Sequence, residues 1–165
     1  MYKVYLGIGG NIGNKQNNFE EVYRKIRNEL GKIENASSIY ETPPWGFQSD
    51  DVFWNSVIEI STVYSPEILL SKIHLIENSF GQKSGDERYT SREMDIDILY
   101  FDDLFMGNEN LIIPHPRIPH RKFVLIPLNE IAPELEHPLL RLTTMQMVEI
   151  CMDESIIKKV KFRKL

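Results

Sequence analysis

Two carboxylates stand two residues apart at the head of an apolar run, Asp95-Ile96-Asp97-Ile98-Leu99-Tyr100-Phe101, with Arg92 three residues upstream. The run reads as a strand, in which Ile96, Ile98 and Tyr100 alternate with Asp97, Leu99 and Phe101. Residues two apart in a strand point to the same face, so Asp95 and Asp97 project side by side. Adjacent carboxylates repel unless positive charge lies between them. Arg92 can supply that charge. So can a hard divalent cation, because Mg²⁺ prefers carboxylate oxygen and often bridges to substrate phosphates. Taken alone, the motif reads more plainly as a solvated strand end with a local ion pair.

The elements that must position these groups follow from the rest of the chain. Its 165 residues suffice for one domain, spanning 1–165, with a sizeable core. The net charge of −5 argues against a nucleic-acid binder, which would carry a basic face. Basic residues nevertheless cluster around Lys83 to Arg92, at Arg117 to Lys122 and from Lys158 to Lys164. A phosphate-bearing small ligand needs only such a local cluster. The one cysteine, Cys151, excludes an internal disulfide and lies in an apolar helical pattern suited to a core. Met1 leads directly into a strand, and no apolar run reaches the length of a membrane span. The expectation is a cytoplasmic monomer acting on small molecules, with no membrane or nucleic-acid partner.

Tyr2 to Ile8 is a first strand, running into the cluster Gly9-Gly10-Asn11-Ile12-Gly13. The cluster lacks the third glycine of a dinucleotide fingerprint and the lysine of a P-loop, so it reads as a tight turn into a helix. Phe19, Val22, Tyr23, Ile26 and Leu30 recur at helical spacing, with Gly31 as the stop. Ile33 to Tyr40 reads as a second strand and Phe53 to Val63 as a long third one. Between them Thr42-Pro43-Pro44-Trp45-Gly46-Phe47-Gln48 is a loop with two aromatics. Ser65-Pro66 opens a second helix, with serine as cap, whose stripe of Leu69, Leu70, Ile73, Ile76 and Phe80 is interrupted by Glu77. A carboxylate in an apolar stripe is costly unless paired. Gln82 to Ser91 is polar and aperiodic, long enough to serve as a lid. After the acidic strand come a turn at Asp102-Asp103, a short strand near Leu111 to Ile113, and a proline-rich stretch from Pro114 to Arg121 unsuited to regular structure. Phe123 to Ile131 is a short helix interrupted by Pro127, Thr143 to Met152 a last helix, and the tail an edge segment. The order strand-helix-strand-strand-helix-strand is that of a ferredoxin-like α+β core. It predicts an antiparallel sheet with the two long helices on one face, plus C-terminal additions.

Thr42-Pro43-Pro44-Trp45-Gly46, then Asn55, Glu77, Arg92-x-x-Asp95-Ile96-Asp97-Ile98, Pro114-His115 and Arg121 closely resemble the 6-hydroxymethyl-7,8-dihydropterin pyrophosphokinase family. Phe123-Val124-Leu125-x-Pro127-Leu128-x-Glu130-Ile131-Ala132-Pro133 looks like the same family. The resemblance covers nearly the whole chain in the family's order. It implies transfer of a pyrophosphoryl group from ATP to the hydroxymethyl oxygen of a reduced pterin, in folate biosynthesis, with two Mg²⁺ ions. It further implies that Asp95 and Asp97 hold metal. Arg92, His115 and Arg121 would contact the ATP phosphates, and Leu70, Glu77 and Ile98 line the ATP side. Phe53 and Phe123 would stack on the pterin, Asn55 read its edge, and Thr42, Pro43, Pro44, Trp45 and Tyr89 close its pocket. Without the resemblance, Leu70, Ile98, Phe53 and Phe123 read as core, and His115 as a surface loop residue.

The sequence departs from the family's pattern after the second helix. Gly81-Gln82-Lys83-Ser84 stands where Gly-Arg-x-Arg is usual, Tyr89 replaces a tryptophan, Thr90-Ser91 replace Gly-Pro, and Phe53 replaces a tyrosine. Gln82 cannot supply the charge of an arginine, which leaves Lys83 or Arg88 to do so. A non-catalytic pterin- or nucleotide-binding relative and a different Mg²⁺-dependent nucleotidyl transferase are the competing readings.

Overall fold

The structure is a computed structural model that describes residues 1–42, 52–81 and 94–161. Mixed helix and antiparallel sheet make up the architecture. The central strand β1 (Tyr2–Gly10) is flanked by β4 (Phe53–Thr62) and β5 (Asp95–Phe101), both antiparallel to it. Beyond β4 lie β2 (Lys32–Ala36) and β3 (Tyr40–Thr42), and β8 (Lys158–Lys159) closes the edge against β3. A separate two-stranded ribbon pairs β6 (Met106–Gly107) with β7 (Ile112–Ile113).

Alternation along β1 divides the molecule into two cores. Val4, Leu6 and Ile8 face one side, beneath the buried stripes of α1 (Lys15–Glu29: Phe19, Val22, Tyr23, Ile26) and α2 (Pro66–Ser79: Leu69, Ile73, Ile76). Tyr5 faces the other side with Val57 and Leu99, beneath α3 (Lys122–Ile131) and α4 (Thr144–Ile150). The two long helices thus share a face as expected, and the two later helices cover the opposite one. Apolar side chains at i, i+3, i+4 and i+7 on α1, and at i, i+4 and i+7 on α2, fix each long helix to the sheet.

Several local expectations are corrected. The predicted strand 33–40 is two strands. Ser37 breaks it, because its hydroxyl accepts the Val57 amide (2.9 Å) while its own amide donates to the Val57 carbonyl (2.9 Å). Gly9 and Gly10 are not a turn but the end of β1, and only Gly13 takes a left-handed conformation (φ 71°). The alternation along β5 fails at a β-bulge: Tyr5 pairs with Tyr100 but Leu6 with Ile98, so Leu99 is extra. The extra residue turns Tyr100 to the α3 side with Leu99 and leaves Phe101 with Ile96 and Ile98. α3 is not interrupted, since Pro127 is buried within a continuous helix. Ser65 makes no side-chain cap, although its carbonyl accepts the Leu69 amide (2.8 Å). The proline-rich stretch contains a 3-10 turn, Ile118–His120. α4 is shorter than expected, with Thr143 as its cap in a reciprocal box with Gln146.

Candidate active site

Register decides which of the candidate residues can meet. Gly9 of β1 lies opposite Asn55 on one side and Asp95 on the other, and Gly7 lies opposite Val57 and Asp97. Directly opposed residues share a face. Asn55, Asp95 and Asp97 therefore rise from the α3 side of the sheet, separated only by two residues without side chains. Nothing in the local sequence pattern marks this glycine floor, because it exists only in the three-strand register.

The floor also sets Asn55. A Cβ built on Gly9 would stand 2.5 Å from Asn55 Oδ1. With that space open, the buried carboxamide lies over β1 and donates from Nδ2 to Thr42 Oγ1 at 3.1 Å. Thr42 is itself buried, paired across the ladder with Phe53. Phe53 and Phe123 are half-buried, Phe123 packing against the α3-side core with the Arg121 guanidinium 5.3 Å from its ring centre. Gly9→Ala is expected to destabilise the fold by about 1–3 kcal/mol, because the methyl meets Asn55 Oδ1 and little else. Urea melts would check this.

A second group forms at the outer edge of β5. Leu70, His74 and Glu77 recur at i, i+4 and i+7 on α2 and line a groove of about 440 Å³ with Asp95, Asp97, Ile98 and His115. Glu109, Asn110, Leu111 and Ile112 close its far wall, where Asn108 Oδ1 accepts the Asn110 and Leu111 amides (2.9 Å each) and fixes the turn. His74 was legible from its helical spacing to Glu77, whereas the wall from Glu109 to Ile112 has no periodicity to betray it.

Glu77 is 6 % exposed, and its Oε2 accepts the Ile96 amide at 3.0 Å. The Ile96 amide thus points out of the sheet, and Ile98, two residues on, turns its own amide and carbonyl to the same edge. Burial, a hydrogen bond with Asp95 and the Asp95 charge together hold Glu77 protonated well above the usual carboxylate range. The folded state then binds a proton that the unfolded chain releases above its ordinary pKa. Stability from this group is complete below about pH 4.5 and is lost as pH rises toward the raised value. His115 has the opposite sign. Burial, then the nearby Arg121 and Arg117 charges, push it down to about 4, so it is neutral and costs stability only as pH falls below about 6.5. Above pH 7 the Glu77 contribution therefore acts without opposition from His115. Glu77→Gln, which mimics the protonated acid, is expected to flatten the decline in melting temperature of the metal-free chain between pH 7 and 9. Thermal melts across that range would check it.

The neutral His115 accepts the Arg117 amide on Nδ1 (3.2 Å), which leaves the proton on Nε2 as a donor. Among the described residues no group of three His, Cys, Asp or Glu side chains could hold a metal. Two carboxylates lining the groove suit a hard cation that completes its shell with phosphate oxygen and water. Pro43, Pro44, Trp45, Arg88, Tyr89 and Arg92 lie outside the described residues, as does the expected lid from Gln82 to Ser91.

The family model described as 7,8-dihydro-6-hydroxymethylpterin-pyrophosphokinase matches residues 5–133. The chain belongs to this family. The pyrophosphokinase fold extends past the matched stretch through α4 and β8. A relative from Aquifex aeolicus, a 2-amino-4-hydroxy-6-hydroxymethyldihydropteridine pyrophosphokinase, is 38% identical over 143 residues, covering 86% of this chain and 87% of its own length. The enzyme of that name from Bacillus subtilis is 36% identical over 134 residues, covering 81% of this chain and 80% of its own. The folic acid synthesis protein FOL1 of Dictyostelium discoideum is 38% identical over 87% of this chain, which spans only 22% of that protein. Among solved structures, Plasmodium falciparum HPPK-DHPS superposes with a TM-score of 0.73 at 19% identity, over 90% of this chain and 44% of that one. The family's activity is pyrophosphoryl transfer to hydroxymethyldihydropterin in folate synthesis. No helix among the described residues is long and apolar enough to cross a membrane.

Proposed function

We propose that this chain transfers pyrophosphate from ATP to 6-hydroxymethyl-7,8-dihydropterin, giving the pterin diphosphate and AMP. The observation that carries the reading is the shared face of Asn55, Asp95 and Asp97 across the Gly7 and Gly9 floor. An edge-reading carboxamide and a pair of charge-gathering carboxylates stand on that face, with the Leu99 side chain against Gly7 and the carboxamide itself over Gly9.

In the proposed reaction the hydroxymethyl oxygen attacks the β-phosphorus of ATP and loses its proton. The bond from the β-phosphorus to the oxygen bridging to the α-phosphate breaks, and AMP departs. Little covalent work falls to the protein, so catalysis is positioning and charge neutralisation. Asn55, held by Thr42, offers the pterin edge both a donor and an acceptor, and Phe53 and Phe123 offer stacking faces. The outward amide and carbonyl of Ile98, with Leu70 and Ile112 as apolar walls, suit the base of the nucleotide. Neutral His115 and the Arg121 guanidinium suit its phosphates. Asp95 and Asp97 would hold two Mg²⁺ ions, which when bound would supply positive charge to neutralise the triphosphate. Arg92 is assigned to the phosphates, and Pro43, Pro44, Trp45 and Tyr89 to the pterin pocket, on the sequence resemblance alone, and Arg88 to the phosphates as a substitute for the charge that Gln82 lacks.

The reading extends to a ferredoxin-like core, supported by the strand order β5-β1-β4 with β2 and β3 beyond, and to one pyrophosphokinase domain acting as a cytoplasmic monomer. Incubation with ATP, Mg²⁺ and the hydroxymethyl pterin tests the function. AMP with a diphosphorylated pterin supports it; pyrophosphate release, or pterin binding without AMP, overturns it.

A further inference from the structure

The first turn of α3 carries Arg121 as its cap and Phe123 as its second residue, yet Arg121 makes no side-chain cap. The opening amides of a helix have no partner within it, and a loose first turn would swing both side chains. The partner comes from beyond α4. Asp153, 9 % exposed, accepts the Lys122 amide on Oδ2 at 3.0 Å. Its other oxygen, Oδ1, accepts the Ser155 amide (2.9 Å) and the Ser155 hydroxyl. Both oxygens are therefore engaged and the carboxylate cannot rotate away. Its negative charge also lies at the positive end of the helix.

We propose that Asp153 is a positioning residue of the transfer site: by holding the Lys122 amide it fixes the first turn of α3, and with it the Arg121 guanidinium and the Phe123 ring on either side. The residue lies outside the stretch 5–133 that the family model matches, so the segment after α4 supplies a part of the site that the matched stretch lacks. The inference rests on the reading that Arg121 and Phe123 meet the phosphates and the pterin.

The test uses the full chain, with ATP and pterin varied in turn. Asp153→Ala is expected to raise the pterin KM by about tenfold and to weaken ATP severalfold. Asp153→Asn, which keeps a carbonyl oxygen for the Lys122 amide, is expected to restore most of the loss. Glu154→Gln, at the exposed neighbouring residue, is expected to leave both constants unchanged. Each variant is assayed below its melting temperature, read by circular dichroism. In a Phe123→Ala background, Asp153→Ala is expected to add less than twofold to the pterin KM, because its effect acts through that ring. Asp153→Ala constants within twofold of wild type overturn the proposal. So does an Asp153→Ala effect that multiplies fully with that of Phe123→Ala. If Phe123→Ala and Arg121→Ala themselves leave the kinetics unchanged, the reading of the site falls and takes the proposal with it.

Discussion

Asp97→Asn is expected to lower turnover on the order of a thousandfold while the metal-free protein melts at or above the wild-type temperature. The two effects have one cause. Asp97 stands two residues from Asp95 on one face of β5, and Glu77 is driven to keep its proton partly by both charges. Two like charges beside an acid that must keep its proton are a poor arrangement for stability, and the two charged carboxylates are the groups left to attract a cation. Asparagine relieves the repulsion but binds Mg²⁺ weakly, so the triphosphate loses the neutralisation on which the transfer depends. Melting curves with and without Mg²⁺ and ATP separate the two. Wild type is expected to gain melting temperature when both are added, and Asp97→Asn to gain little. Retention of a tenth of the turnover would sink the metal assignment.

The same acids show how far the sequence could be read. The pairing of Asp95 with Asp97 was legible because strand periodicity is two and nothing interrupts it before Ile98. Beyond Ile98 the reading failed, because the bulge at Leu99 depends on what β1 offers opposite, which a local pattern does not contain. The helical stripes of α1 and α2 were legible for the same reason as the strand, and Glu77 stood out because it broke one. Gly7 was legible as part of a strand, whereas Gly9 was misread as part of a turn. Glycine in a sequence marks freedom of the backbone, and only the three-strand register reveals that what matters at Gly9 is the space above it. The Asp153 contact was invisible because it joins residues 31 apart through a backbone amide, which carries no residue identity.

Asn55→Leu is expected to cost on the order of a hundredfold to a thousandfold in kcat/KM for the pterin, with the nucleotide KM unchanged. Leucine repeats the branched outline of asparagine, with bulkier methyl groups in place of the oxygen and nitrogen. Over Gly9 its branch meets the space that the Oδ1 oxygen occupied. The loss is chemical. A buried site that reads a ring edge by hydrogen bonds discriminates strongly when its polar partner is removed, because the ligand's donors and acceptors are then desolvated without compensation. Thr42 Oγ1 also loses the donor that Asn55 Nδ2 supplies, so Thr42→Val separates the two contributions. If positioning of the carboxamide is the role of Thr42, Thr42→Val reproduces a fraction of the Asn55→Leu effect and adds nothing to it in the double variant. Fluorescence titration of the pterin in the absence of nucleotide reads the binding part alone. A pterin affinity in Asn55→Leu within threefold of wild type would mean that Asn55 serves the β3–β4 ladder and not the ligand, and the shared face with Asp95 and Asp97 would lose its meaning for the reaction.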